Sequence, residues 1–182
     1  TAIQAESIPT AIEGNDILAT SPTGSGKTLA FGIPALMSER NALVLCPTRE
    51  LAQQVGQELR MVDAFNKCNL AIIIGGASYS TQKRDLTQKG KLIVIATPGR
   101  MRDHIERGTI SLKNFGMLIL DEADEMMSMG FAEDLNFIRG KMSEDLQVLL
   151  FSATFPKHVR KFAEKSMVNP VRIGMDEKQS PP

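Results

Sequence analysis

SPTGSGKT, Ser21 to Thr28, follows the short apolar run Asp16–Thr20 and opens a helical pattern. Gly24 and Gly26 carry no Cβ and take positive φ freely, so a backbone there can wrap closely round a phosphate chain. The N–H groups of Gly24 to Thr28 are expected to turn inward as an anion nest. A helix starting near Gly26 adds an N-terminal partial charge of roughly +0.5. Lys27 is expected to reach β- and γ-phosphates and the Thr28 hydroxyl to ligate Mg²⁺. The whole loop, Ser21, Thr23, Gly24, Ser25, Gly26, Lys27 and Thr28, is therefore read as nucleotide-binding. The usual pattern opens with Gly; Ser21 is small enough for the same turn. The competing reading is a glycine-rich turn that merely precedes a helix.

A second stretch, MLILDEAD from Met117 to Asp124, complements the first. Met117 to Leu120 are apolar without alternation, as in a strand covered on both faces. Asp121 then emerges at the strand's carboxyl end, where open α/β sheets bind ligands. An Asp there can hold Mg²⁺ directly or through water. Glu122 is the adjacent carboxylate, suited to orient or deprotonate an attacking water. An acidic first helical turn would account for the same composition, though not for the loop upstream. With both stretches present, Lys27, Asp121 and Glu122 are the catalytic candidates, and a nucleoside triphosphate with Mg²⁺ the expected ligands.

The chain has 182 residues, 42% of them hydrophobic, which suits one compact domain with a full core. Its 21 basic and 21 acidic residues cancel, so polyanion contacts must come from locally placed groups. Cys46 and Cys68 show no metal spacing. Cys46 ends an apolar strand as a core thiol, which suits a reducing compartment, and the cytoplasm is the expected location. No run is long enough to span a bilayer and no signal pattern is present, so no membrane partner is expected.

Candidate strands are Asp16–Thr20, Ala42–Cys46, Leu70–Ile74, Leu92–Ala96, Met117–Leu120, Val148–Phe151 and Val171–Ile173. Arg49–Phe65, Tyr79–Gln88, Gly99–Arg107, Ala132–Met142 and Pro156–Ser166 read as helices. The alternation predicts an α/β fold, a mainly parallel sheet sandwiched by helices. Pro34 is expected to bend or end the first helix after the loop. Thr1 stands in a helical segment, which suggests a piece of a longer chain. Residues 1–174 read as one domain. From Met175 to Pro182 the apolar pattern is lost, as at the start of a linker.

Further motifs fall at strand ends: PTRELA at Pro47–Ala52, Gly75–Gly76, TPGR at Thr97–Arg100 and SAT at Ser152–Thr154. With SPTGSGKT and DEAD, this set resembles the first RecA-like domain of the DEAD-box RNA helicases, P-loop enzymes that close two such domains over ATP and an RNA strand. The resemblance implies ATP-dependent local unwinding of RNA, with a second RecA-like domain as partner; no second P-loop-like sheet follows Phe151. It implies that Gln4, within TAIQ, reads the adenine edge. It implies that Pro47, Thr48, Arg49, Gly76, Thr97, Gly99 and Arg100 grip the RNA sugar–phosphate backbone, and that Asp124, Ser152 and Thr154 couple nucleotide state to strand separation. Helix-start amides and arginines suit phosphate contacts that read no bases.

Blander readings accompany these. Gln4 alone would be an ordinary helix-surface residue, Arg49 and Arg100 could form surface ion pairs, and Ser152 and Thr154 could cap the following helix. His104 and His158 are isolated and read as surface residues. Met126, Met127 and Met129 read as adaptable packing beneath a loop. Lys83, Arg84 and Lys89 read as a solvated helix face. The rival functions are a P-loop DNA helicase or translocase, and a non-catalytic module that only docks RNA or partners. Alone, the domain is expected to bind nucleotide weakly and hydrolyse ATP hardly at all.

Overall fold

The computed structural model describes residues 1–22, 26–64 and 67–174. Along them run α1 (Ala2–Ile12), β1 (Ile17–Thr20), α2 (Lys27–Met37), β2 (Asn41–Leu45), α3 (Arg49–Val62), β3 (Asn69–Ile73), α4 (Tyr79–Leu86) and β4 (Leu92–Ala96). Then follow α5 (Pro98–Glu106), β5 (Phe115–Asp121), α6 (Ala123–Ser128), α7 (Ala132–Gly140), β6 (Gln147–Ser152), α8 (Lys157–Ser166) and β7 (Val171–Ile173). Among the described residues no helix is long and apolar enough to cross a membrane.

The strands form one sheet in the order β3-β4-β2-β5-β6-β1-β7, with every pair parallel. Alternate residues of each strand feed opposite cores, because successive side chains leave a strand on opposite faces. Leu43, Leu45, Val94, Leu118, Leu120 and Leu150 pack with Met101 of α5, Leu135 of α7 and Phe162 of α8. Val44, Ile93, Ile95, Ile119 and Phe151 pack with Phe31 of α2 and Leu59 of α3. Each such side chain, fully buried, stabilises the fold by roughly 1.5–3 kcal/mol. Phe31 meets Phe151 with ring centroids 5.5 Å apart, which seats α2 on β6.

Register then levels the carboxyl ends. Thr20 pairs with Ser152, Asp121 with Phe151, and both Leu45 and Ile73 with Ala96. The segments leaving β1, β2, β3, β4, β5 and β6 therefore emerge along one edge.

Pro34 neither ends nor replaces the helix there. α2 continues to Met37, and the Pro34 carbonyl accepts from the Ser38 N–H at 3.0 Å. The interruption is tolerated because Ala30, Phe31 and Ala35 remain buried, and the Lys91 ammonium caps the helix end by donating to the carbonyls of Ala35, Leu36 and Ser38. β5 starts two residues earlier than its apolar run, since Phe115 pairs with Asn41. α3 ends at Val62, where the Asp63 carboxylate accepts from the N–H groups of Lys67 and Cys68. The predicted last residue of that helix, Phe65, and the linker 175–182 lie outside the described residues.

Candidate active site

Thr23, Gly24 and Ser25 lie outside the described residues, but the loop's exit is described. Gly26 has φ 82° and ψ 17° and forms the N-cap of α2. That left-handed conformation, which Gly adopts without a Cβ penalty, starts the helix with Lys27 as its first residue. Lys27 is buried, and its Nζ lies 3.0 Å from Asp121 Oδ1 and 3.1 Å from Glu122 Oε1. Asp121 and Thr20 stand two strand spacings apart, roughly 10 Å by the usual interstrand distance; the lysine spans that gap. Gln4, which only the resemblance singled out, donates from Nε2 to the Gly26 carbonyl at 3.0 Å. Helix α1 thus delivers it onto the loop.

Asp121 is fully buried, and apart from the Lys27 ammonium no donor among the described residues reaches either carboxylate oxygen. Burial pushes its pKa above 3.8, with Lys27 opposing and Glu122 reinforcing the rise. A buried carboxylate with unfilled acceptor sites is costly unless something cationic completes it. The donor types suit Mg²⁺: one buried carboxylate and the half-buried Thr28 hydroxyl, both oxygen donors. Among the described residues no group of three or more His, Cys, Asp or Glu could hold a metal ion.

Glu122 departs from what sequence could show. Its φ of 58° and ψ of 56° are left-handed, and it is the N-cap of α6. The DEAD stretch is therefore both a strand end and a helix start, and the acidic first-turn reading holds, with Asp124 and Glu125 in the first turn of α6.

Asp124 bonds with the SAT segment, as expected. Its Oδ2 accepts from the Thr154 N–H at 3.1 Å and the Thr154 hydroxyl at 2.8 Å, while its own N–H donates to Ser152 Oγ at 3.1 Å. Burial raises the Asp124 pKa, but bonds from Thr154, Ser152 and the Glu125 and Thr154 amides outweigh it and leave the group below 3.8. The alternative that these hydroxyls cap the following helix is corrected. α8 has Pro156 as its N-cap without a side-chain bond, and the Ser152 hydroxyl serves the start of α6 instead.

Beside this pocket lies an open groove of about 620 Å³, lined by Pro47, Thr48, Arg49, Gly75, Thr97, Gly99 and Arg100, with Met129 and Phe131 on its far wall. Thr48 and Thr97 are the N-caps of α3 and α5, so both helices present amide ends here. Gly76 has φ 80°, and a Cβ there would meet Arg49 Nη1 at 2.7 Å; the arginine lies against the glycine turn. Among the described residues the ion-paired arginines are Arg40, Arg84, Arg102 and Arg107. Arg49 and Arg100 are not with them, so the surface ion-pair reading does not hold for either.

Two smaller readings change. His104 is no surface residue: it is fully buried, Nε2 lies 2.9 Å from Gln82 Oε1, and its ring stacks on Tyr79. Met126 is buried as expected, but Met129 is about half exposed on the groove wall. His158, Lys83, Arg84 and Lys89 are exposed as read. Sequence reasoning missed Gln82 and Phe131. A signal for Gln82 existed, because Tyr79, Gln82 and Leu86 share one face of α4.

A family profile described as DEAD/DEAH box helicase matches residues 1–162. The chain is 44% identical to the DEAD-box ATP-dependent RNA helicase CshA of Bacillus cereus, over 98% of this chain and 35% of that protein. It is also 44% identical to the ATP-dependent RNA helicase DeaD of Mycobacterium tuberculosis, over 95% of this chain and 32% of that protein. Among solved structures, a DEAD box protein from the hyperthermophile Methanococcus jannaschii superposes with a TM-score of 0.89 at 41% identity, covering 95% of this chain and 49% of that one. The chain thus spans about a third of the length of these curated relatives.

Proposed function

Because the chain belongs to the DEAD/DEAH box helicase family, we propose that it is the ATP-binding half of an ATP-dependent RNA helicase. The supporting observation is that one ammonium, Lys27, lies within 3.1 Å of both Asp121 and Glu122. A triphosphate drawn to the α2 N-terminus takes Lys27 from these carboxylates, so that Asp121 can hold a divalent cation and Glu122 can take a water proton. Thr28 and Asp121 would hold Mg²⁺, whose chemistry there is to neutralise charge on the β- and γ-phosphate oxygens. Gln4, already on the loop, selects adenine. The groove from Pro47 to Arg100 binds the RNA sugar–phosphate strand, and 2′-hydroxyl contacts give preference for RNA over DNA. Asp124, Ser152 and Thr154 link the two, since they join the segment after β5 to the segment after β6.

A second RecA-like domain is the expected partner, supplying the other half of the RNA cleft and arginine fingers, worth roughly 10³–10⁵ in rate in phosphoryl-transfer enzymes. The work is assigned to the cytoplasm, which suits the unpaired Cys46 and Cys68. In the full-length protein, Glu122→Gln should abolish RNA-stimulated ATP hydrolysis while ATP binding persists. Unimpaired hydrolysis would overturn the catalytic assignment, and stronger stimulation by single-stranded DNA than by RNA of equal length would favour a DNA translocase. The isolated domain should turn over ATP far more slowly than the full-length protein.

A further inference from the structure

Gln82, on α4, is buried between the two loops that form one wall of the groove. Its Nε2 donates to the Ile74 carbonyl at 2.7 Å, just before the Gly75–Gly76 turn. Its Oε1 accepts from Arg100 Nε at 3.0 Å and lies 2.9 Å from His104 Nε2. Arg100 Nη2 donates in turn to the Ala77 carbonyl at 2.9 Å. One carboxamide therefore ties the β3–α4 turn to α5.

Counting protons fixes the network. A carboxamide oxygen can only accept, so His104 must donate from Nε2. The neutral Nε2–H tautomer meets this with a bare Nδ1, and among the described residues Nδ1 is buried without a hydrogen-bond partner that a second proton would need. Flipping the carboxamide would set its N–H groups against the Arg100 Nε–H and its oxygen against the Ile74 carbonyl. The Tyr79 ring stacks on the imidazole at 4.1 Å and 7°, and its hydroxyl meets Thr109 Oγ1 at 3.0 Å, so the ring cannot swing away. The Arg100 and Arg107 guanidiniums lie over the same Tyr79 ring.

We propose that Gln82 is a positioning residue for nucleic-acid binding. It holds the Arg100 side chain and the Gly75–Gly76 turn at fixed separation, so that a sugar–phosphate strand meets both at once, and His104 locks its carboxamide. This rests on the RNA reading above. An arginine held in place before binding spares the ordering cost of one long side chain, worth roughly two- to tenfold in affinity.

The test uses the full-length protein, a labelled single-stranded RNA with a non-hydrolysable ATP analogue, and a separate titration of fluorescent ADP. Gln82→Met should weaken RNA binding by about two- to tenfold with ADP affinity unchanged. The effect should shrink in an Arg100→Ala background, where only the Gly75–Gly76 turn is left to position. His104→Phe, which keeps the stack on Tyr79, should give a smaller loss in the same direction and carries the test if Gln82→Met does not fold. The ¹⁵N shifts of His104 should report Nε2–H. If Arg100→Ala weakens RNA binding but neither Gln82→Met nor His104→Phe does, the positioning role is wrong and the groove stands. A Gln82→Met loss of undiminished size without Arg100, or an Nδ1–H tautomer, also refutes the role. If Arg100→Ala changes neither affinity nor its salt dependence, the groove assignment itself falls, and the positioning role with it.

Discussion

Gly26→Ala perturbs the site at its most constrained described residue. At φ 82° an L-residue other than Gly pays roughly 1–2 kcal/mol. The added Cβ would also stand 2.8 Å from Gln4 Nε2 and 3.0 Å from Thr1 Cγ2. Gln4 must then withdraw, breaking its 3.0 Å bond to the Gly26 carbonyl, a loss of about 1 kcal/mol. The total is about 2–3 kcal/mol, or roughly 30- to 150-fold in an equilibrium constant. Where the loss appears depends on how the substituted loop responds. If it relaxes, the cost falls on nucleotide affinity, because binding restores the left-handed turn; if not, it falls on unfolding. Urea titration and fluorescent ADP titration of the same variant therefore measure the two parts, and geometry fixes only their sum. Gly14→Ala is the control, since Gly14 has φ 94° but nothing within 4 Å of a built Cβ; it should lose about 1 kcal/mol of stability and no ADP affinity. A summed loss for Gly26→Ala no larger than that of Gly14→Ala would refute the coupling of Gln4 to the loop.

Asp16 accepts from the Val148 N–H at 2.9 Å and the Val168 N–H at 2.8 Å. Asp16→Ala leaves two amides unsatisfied and should cost roughly 2–5 kcal/mol of unfolding free energy, read by urea titration, with ADP affinity unchanged because Asp16 lies at the opposite edge of the sheet. The His104 imidazole is pushed below 6.5 by burial, then by Arg100 and Arg107, with Asp103 opposing. The unfolded chain therefore takes up this proton first, so the contribution is intact above about pH 6.5 and is lost as pH falls from there toward the lower folded value. The urea midpoint should drop between pH 7.5 and 5.5, and His104→Phe should flatten that limb.

The strands were legible because burial on both faces makes an uninterrupted apolar run. Their first residues were not. Asn41, Asn69 and Gln147 are polar yet paired, since the ladder is made by backbone; Asn41 Oδ1 even accepts from the Leu92 N–H. That Lys27 would meet Asp121 and Glu122 was legible because a loop and a strand end of these compositions suit one shared anion site. Gln4 was legible only through resemblance, as its partner stands 22 residues away. His104 was misread because isolation along the chain says nothing of neighbours across the fold. It sits three residues after buried Met101 and beside Ile105, inside the apolar stripe of α5. A polar group in such a stripe signals a buried partner, and here the partner is Gln82.

The strained turn at Glu122 explains why one lysine meets two consecutive carboxylates. In a continuing strand Asp121 and Glu122 would leave on opposite faces of the sheet. The left-handed conformation at Glu122 breaks that alternation, and both carboxylates come within 3.1 Å of Lys27. Such a residue costs about 1–2 kcal/mol and persists only where its surroundings leave no easier arrangement. Here α6 supplies that restraint: the Glu122 carbonyl accepts from the Met126 N–H at 3.1 Å, and Met126 is fully buried. Asp124, one residue further into the helix, is held by Thr154 and Ser152. The geometry of the Glu122 carboxylate is thus fixed partly by the segment after β6, whose Ser152 and Thr154 hold Asp124 two residues further along.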